Sequence, residues 1–84
     1  MKEIHFSEHS QLKIEVLKRH GISIAPEFII EVIQSPDKLT HAKDKRIAQK
    51  QFNENLLLRV VYREFTTFIF VITLYPGRRS RYEN

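Results

Sequence analysis

The side chains best suited to chemistry in this sequence are His9, Lys13, Arg59, Tyr75, Arg78, Arg79, Arg81 and Tyr82, with Thr73 sharing the alternation of Tyr75. Together they form an acid–base and cation set, and metal-free cleavage of RNA is a reaction that uses one. A base takes the proton of a ribose 2′-OH, which attacks the adjacent phosphate. Arginines stabilise the added negative charge of the phosphorane-like transition state, and an acid protonates the leaving 5′-oxygen. Histidine serves as a base near neutral pH, arginine grips two phosphate oxygens at once, and tyrosine stacks on a base or donates a proton. On this reading His9, Arg59 and Tyr75 are the candidate catalytic residues. Lys13, Thr73, Arg78, Arg79, Arg81 and Tyr82 are the candidate nucleic-acid contacts. Each also has a simpler role open to it. Arg59 fits a salt-bridged position on an open sheet face, His9 a helix start, Tyr75 packing beside Leu57, and the arginine cluster a solvated tail.

Composition narrows the alternatives. The chain has no cysteine, which excludes disulfides, thiolate zinc sites and a cysteine nucleophile. Two glycines leave no glycine-rich phosphate loop, and no HExxH motif occurs. The four histidines, His5, His9, His20 and His41, are scattered, and a metal site needs convergent ligands. No metal and no cofactor is expected. With 84 residues the chain is one small domain, of a size that buries about 60–65% of its unfolded surface. Its 42% apolar and 29% charged residues fit a globular protein rather than a disordered one. No run approaches the roughly 18 apolar residues of a membrane helix, and the charged start MKEIHFSEHS is not a secretory signal. A cytoplasmic location is therefore expected. The net charge of +4 favours acidic partners, nucleic acid or an acidic protein.

The elements that must position these groups follow in order. Lys2–Phe6 suits a brief edge strand. A helix runs from a cap at Ser7 to a left-handed residue at Gly21. A second starts at Pro26, carries Phe28, Ile29, Val32 and Ile33 as an apolar stripe, and ends at Ser35-Pro36. Short strands are expected at Lys38–His41 and Arg46–Phe52. After a turn at Asn53-Glu54-Asn55 come the strongest strands, Leu56–Phe65 and Phe68–Tyr75, rich in β-branched and aromatic residues. Pro76-Gly77 is expected to stop the last. The fold class is α+β, with two N-terminal helices on a three- to four-stranded antiparallel sheet.

A three-residue loop, Phe65-Thr66-Thr67, would set Glu64 opposite Phe68, Val60 opposite Ile72, Arg59 opposite Thr73 and Leu57 opposite Tyr75. Leu58, Val60, Ile72 and Leu74 would then face the helices. Arg59, Arg63, Thr73 and Tyr75 would lie on the other face with Val61, Ile69 and Val71. A two-residue loop would change these partners, while Arg59 would keep its face with Arg63, and Thr73 with Tyr75.

The order and spacing of several motifs resemble a known group. His9, RHGIS at Arg19–Ser23, SPDK at Ser35–Lys38, LRVVYRE at Leu58–Glu64 and FVITLYP at Phe70–Pro76 look like small bacterial domains similar to the BrnT toxins. Those belong to the wider RelE/ParE-like, barnase-like ribonuclease class, and the resemblance runs from about His5 to Tyr82. It implies helices packed on an antiparallel sheet and the toxin half of a toxin–antitoxin pair, acting on RNA, with an acidic antitoxin as protein partner. His9, Arg59, Thr73 and Tyr75 match the polar set of that group. Where BrnT-like chains carry an arginine in an ISAR-type segment, this chain has Ile72-Thr73-Leu74-Tyr75, and Arg78 or Arg79 would substitute from beyond the strand. Two other readings stand beside the endoribonuclease. One is a non-catalytic basic module that binds nucleic acid or a protein. The other treats the open face, with Val61, Ile69 and Val71, as a homodimer or antitoxin interface.

Overall fold

Local signals set most element boundaries. The computed structural model describes residues 2–82. Strand β1 (Glu3–Phe6) leads to Ser7, whose Oγ accepts the Ser10 N–H at 3.0 Å and caps helix α1 (Glu8–Arg19). Glu8 in the first turn and Lys18 and Arg19 in the last complement the helix dipole. Gly21, at φ 85°, makes the left-handed exit. Pro26 opens α2 (Pro26–Gln34), and Ser35 ends it ahead of Pro36. Strands β2 (Lys38–His41), β3 (Arg46–Gln51), β4 (Leu56–Glu64) and β5 (Phe68–Arg78) follow, then a short helix α3 (Arg79–Tyr82).

The fold is α+β, but its sheet is larger than the sequence suggests and is mixed. Five strands lie in the order β1-β5-β4-β3-β2, with β1 parallel to β5 and every other pair antiparallel. The first strand thus joins the last, a pairing set by distant residues rather than by any local signal. β5 also continues through Pro76 and Gly77 to Arg78, pairing them with Leu58, Leu57 and Leu56. The proline does not stop it because β1 reaches only Phe68–Val71. Beyond that point β5 is an edge, where a residue without an N–H is tolerated.

The two helices cover one face. Leu17, Ile24, Ile29, Val32 and Ile33 meet Ala48, Leu58, Val60, Tyr62, Ile69, Val71 and Leu74 in a single buried cluster. Each fully buried aliphatic side chain there is worth about 1.5–3 kcal/mol, and this cluster is what holds so short a chain.

The register of the last hairpin departs from expectation in two ways. Its loop is two residues, Thr66-Thr67, closed by Phe65 N–H donating to the Phe68 carbonyl at 2.8 Å. Near the loop Glu64 faces Ile69 and Tyr62 faces Val71, whereas Val61 faces Thr73, so Ile72 is an extra residue in a β-bulge. The bulge reverses the faces of β5 on either side of itself. The two-residue loop therefore puts Ile69 and Val71 in the helix-side core instead of on the open face, the bulge returns Leu74 to that core, and Ile72 is left out of it.

Ser7 supports the bulge. Its N–H donates to the Val71 carbonyl at 3.0 Å and its Oγ–H to the Ile72 carbonyl at 2.7 Å. Successive carbonyls of a regular strand point to opposite sides, so one residue can take both only where the pleat is broken. The serine that caps α1 thus also anchors the irregularity in β5.

Candidate functional site

The bulge decides what Arg59 meets. With a two-residue loop and an unbroken pleat Arg59 would face Leu74; the extra residue moves Tyr75 opposite it and onto its face. On the other side β3 places Gln49 opposite Arg59. The guanidinium reaches both neighbours. Arg59 Nε–H donates to Tyr75 Oη at 2.9 Å, and an Nη1–H donates to Gln49 Oε1 at 2.7 Å. Its Cζ stands 4.6 Å from the centroid of the Tyr82 ring and 5.7 Å from that of Tyr75. α3 brings Tyr82 here by folding the chain end back over Gly77. A Cβ at Gly77 would lie 2.7 Å from Tyr82 Cδ2 and 3.4 Å from Leu57 Cδ1, so only a glycine lets that ring settle. Leu57 is fully buried although it lies outside the helix-side cluster.

The electrostatics of this cluster are simple. Among the described residues no carboxylate forms an ion pair with Arg59. Its half-buried charge is met by a phenol oxygen, an amide oxygen and ring faces, all of them neutral. Such a guanidinium keeps an uncompensated charge that an incoming anion can neutralise. Tyr75 Oη accepts from Arg59 and so retains its own hydrogen, which no acceptor among the described residues takes. The site can therefore bind an oxyanion and donate a proton beside it.

The other residues singled out by the sequence divide. Thr73 lies on the same face, opposite Val61 and one row from Tyr75. Tyr82 joins the cluster. Arg78 is exposed at the end of β5, on the opposite side of the pleat from Gly77. Arg79 braces the β3–β4 turn, its N–H donating to the Asn55 carbonyl and Nη1–H to the Glu54 carbonyl, both at 3.0 Å. Arg81 is exposed on α3. A cleft of about 520 Å³ lined by Glu54, Asn55, Leu56, Arg78, Arg79 and Ser80 lies beside the Arg59 cluster and does not include it.

His9 and Lys13 are not brought to Arg59. They sit on α1, which enters the helix-side core through Leu17 and Ile14, and His9 is exposed there. The expected apolar strip is also reduced, since of Val61, Ile69 and Val71 only Val61 remains on the open face. Gln49 is the functional residue that the sequence reading missed. It is 4% exposed, and only the pairing of β3 with β4 reveals its place.

A second polar cluster sits nearer the hairpin tip. Glu64 forms ion pairs with Lys2, at 2.6 Å, and with Arg46. The hydrogen bond from Lys2 holds its carboxyl below the usual range, with both cations adding to the effect. Burial pushes the neighbouring Tyr62 phenol up, against an opposing hydrogen bond and charge from Arg46. Among the described residues no group of three or more His, Cys, Asp or Glu is placed to hold a metal ion, and no helix is long and apolar enough to cross a membrane. Comparison with family models, with curated proteins and with solved structures finds no match to this chain.

Proposed function

We propose that this protein is a metal-independent endoribonuclease of the RelE/BrnT-like toxin kind, working on the open face of its sheet. The observation that carries this reading is the Arg59 guanidinium, held in place by Tyr75 and Gln49 and left without an acidic partner among the described residues. Arg59 holds the scissile phosphate and stabilises the charge that gathers on it as the 2′-oxygen attacks. The new bond runs from the 2′-oxygen to phosphorus, the bond to the 5′-oxygen breaks, and a cyclic phosphate remains. Tyr75 donates its free hydrogen to the departing 5′-oxygen, while the 2′-OH proton passes to solvent. An acidic antitoxin that covers this face would silence it by occupying Arg59.

A second reading, a non-catalytic module that binds RNA on the same face, is favoured by one observation. Among the described residues no histidine forms a hydrogen bond or ring contact with Arg59 or Tyr75. Expression in a bacterium under tight control separates the two. The enzyme gives growth arrest and cleaved RNA with the native chain, loss of both in Arg59→Ala, strong reduction in Tyr75→Phe, and no change in His9→Ala. A native chain that binds RNA in a salt-sensitive manner yet leaves it intact would establish the binding module instead. Harmless expression together with no RNA binding would end both readings.

A further inference from the structure

The tip of the β4–β5 hairpin carries a column of flat groups that the Arg59 cluster does not use. Arg63 Cζ stands 5.3 Å from the Phe65 ring centroid. Phe65 stacks on Phe68 with centroids 4.7 Å apart at 17°, and Phe68 stacks on His5 at 5.0 Å and 25°. Its members come from β4, the residue between β4 and the loop, β5 and β1, yet they share one face. Ile4, Phe6 and Ile69 point into the helix-side core, so alternation turns His5 and Phe68 to the side that bears Arg59. Arg63 is four residues along β4 from Arg59, a distance of about 13 Å along an extended strand.

The column is built at the surface rather than in the core. Phe65 is 38% exposed and the His5 side chain 51%. A cross-strand aromatic pair that served stability alone would gain most by burial, and rings left in water beside a cation are where partners dock. Of the carboxylates beside it, Glu64 is already paired with Lys2 and Arg46, and Glu3 lies 3.8 Å from His5. The aliphatic side chains that would suit a protein partner, Ile69 and Val71, are turned to the helix side by the two-residue loop.

We propose that Arg63, Phe65, Phe68 and His5 form a base-stacking platform for single-stranded RNA, extending the phosphate site at Arg59 along the same face. The proposal rests on the reading of that face as RNA-binding. An unpaired base offers a π-face that stacks on an exposed ring whatever its identity, whereas the bases of a duplex are already stacked on one another. A strand lying along the sheet would thus place a phosphate on Arg59 and an unstacked base on Phe65, where the base takes the ring face that the exposed Arg63 side chain covers in the free chain. The preference expected is for single strands with little sequence discrimination.

The test uses the whole chain and a single-stranded 2′-O-methyl oligoribonucleotide, which cannot be cleaved by 2′-OH attack. Phe65→Leu, which keeps the apolar bulk and removes the ring, should weaken binding by about 5- to 150-fold, the range for loss of one base–aromatic stack. Phe65→Tyr should bind like the native chain, and weaker binding to duplex RNA should be unchanged by Phe65→Leu. The chain has no tryptophan, so Phe65→Trp supplies a single reporter whose fluorescence should be quenched when a base stacks on it. Native affinity in Phe65→Leu, with binding lost in Arg59→Ala, would overturn the platform and leave the phosphate site standing. No binding by the native chain would remove both. If Phe65→Leu melts early, the tryptophan decides, and an unquenched signal at saturation overturns the proposal. Equal affinity for single-stranded DNA of the same sequence would overturn the assignment to RNA.

Discussion

The two faces of the sheet are held by different forces. On the helix side Leu58, Val60 and Leu74 are fully buried in one cluster with Ile29, Val32 and Ile33. On the other side Arg59 stands among Gln49, Tyr75 and Tyr82, fixed by two hydrogen bonds and an aromatic face. Apolar contact is non-directional, so the first face needs only the right volume and pattern. Hydrogen bonds are directional, so the second face works only in one register. Stability therefore belongs to the first face and a fixed polar geometry to the second, and substitutions on each should report accordingly.

The largest effect is expected from Leu74→Ala, which opens a cavity in the helix-side core and should cost about 2–5 kcal/mol in chemical denaturation. Arg59→Ala should cost clearly less stability, while RNA affinity falls by about 1.5–3 kcal/mol, the worth of a hydrogen bond to a charged group. An Arg59→Ala chain as unstable as Leu74→Ala would erase the contrast between the faces. Ser7→Ala removes a helix cap, worth about 1–2 kcal/mol, and also releases the Ile72 carbonyl. Hydrogen exchange should rise in α1 and at the bulge together, and RNA binding should weaken although Ser7 lies off the open face. Exchange that rises only in α1 would separate the cap from the site.

The smallest effect is expected at Glu64. Its carboxyl titrates lower in the fold than its ordinary value of 4.5. In the range between the folded and unfolded values the unfolded chain holds more protons, and stability there rises with pH. Its contribution is complete above the ordinary value and is lost as pH falls through the depressed one. Glu64→Gln should flatten this acid limb and lower stability at neutral pH by only about 0.2–1 kcal/mol, as for partly exposed ion pairs. Denaturation midpoints compared at neutral and strongly acid pH measure it.

Much of the fold was legible because its causes are local. Ser7, Gly21, Pro26 and Ser35-Pro36 act on their own backbone, and the helices begin and end where they say. The turn at Asn53-Glu54-Asn55 is equally local, with Asn53 Oδ1 accepting the N–H groups of Asn55 and Leu56 at 2.9 Å. Pro76 misled because its effect depends on whether a neighbouring strand needs its N–H, and there none does. The site was half legible. Alternation joined Thr73 with Tyr75, but only the bulge puts them on the face of Arg59. Gln49 and the aromatic column of His5, Phe65 and Phe68 depend on which strands are neighbours.

Residue type and spacing by themselves determined α1, α2, the places of the strands and the groups able to do chemistry, since propensity, capping and alternation act within a few residues. They did not determine α3 or the run of β5 through Pro76. Tertiary structure alone decided that β1 runs parallel to β5, that Ile72 bulges onto Ser7, and that Tyr75 consequently faces Arg59. It also left His9 with the helices, away from that pair. These outcomes depend on contacts between residues about sixty positions apart. A single extra residue reverses every side chain beyond it, and no local pattern along β5 records where that residue falls.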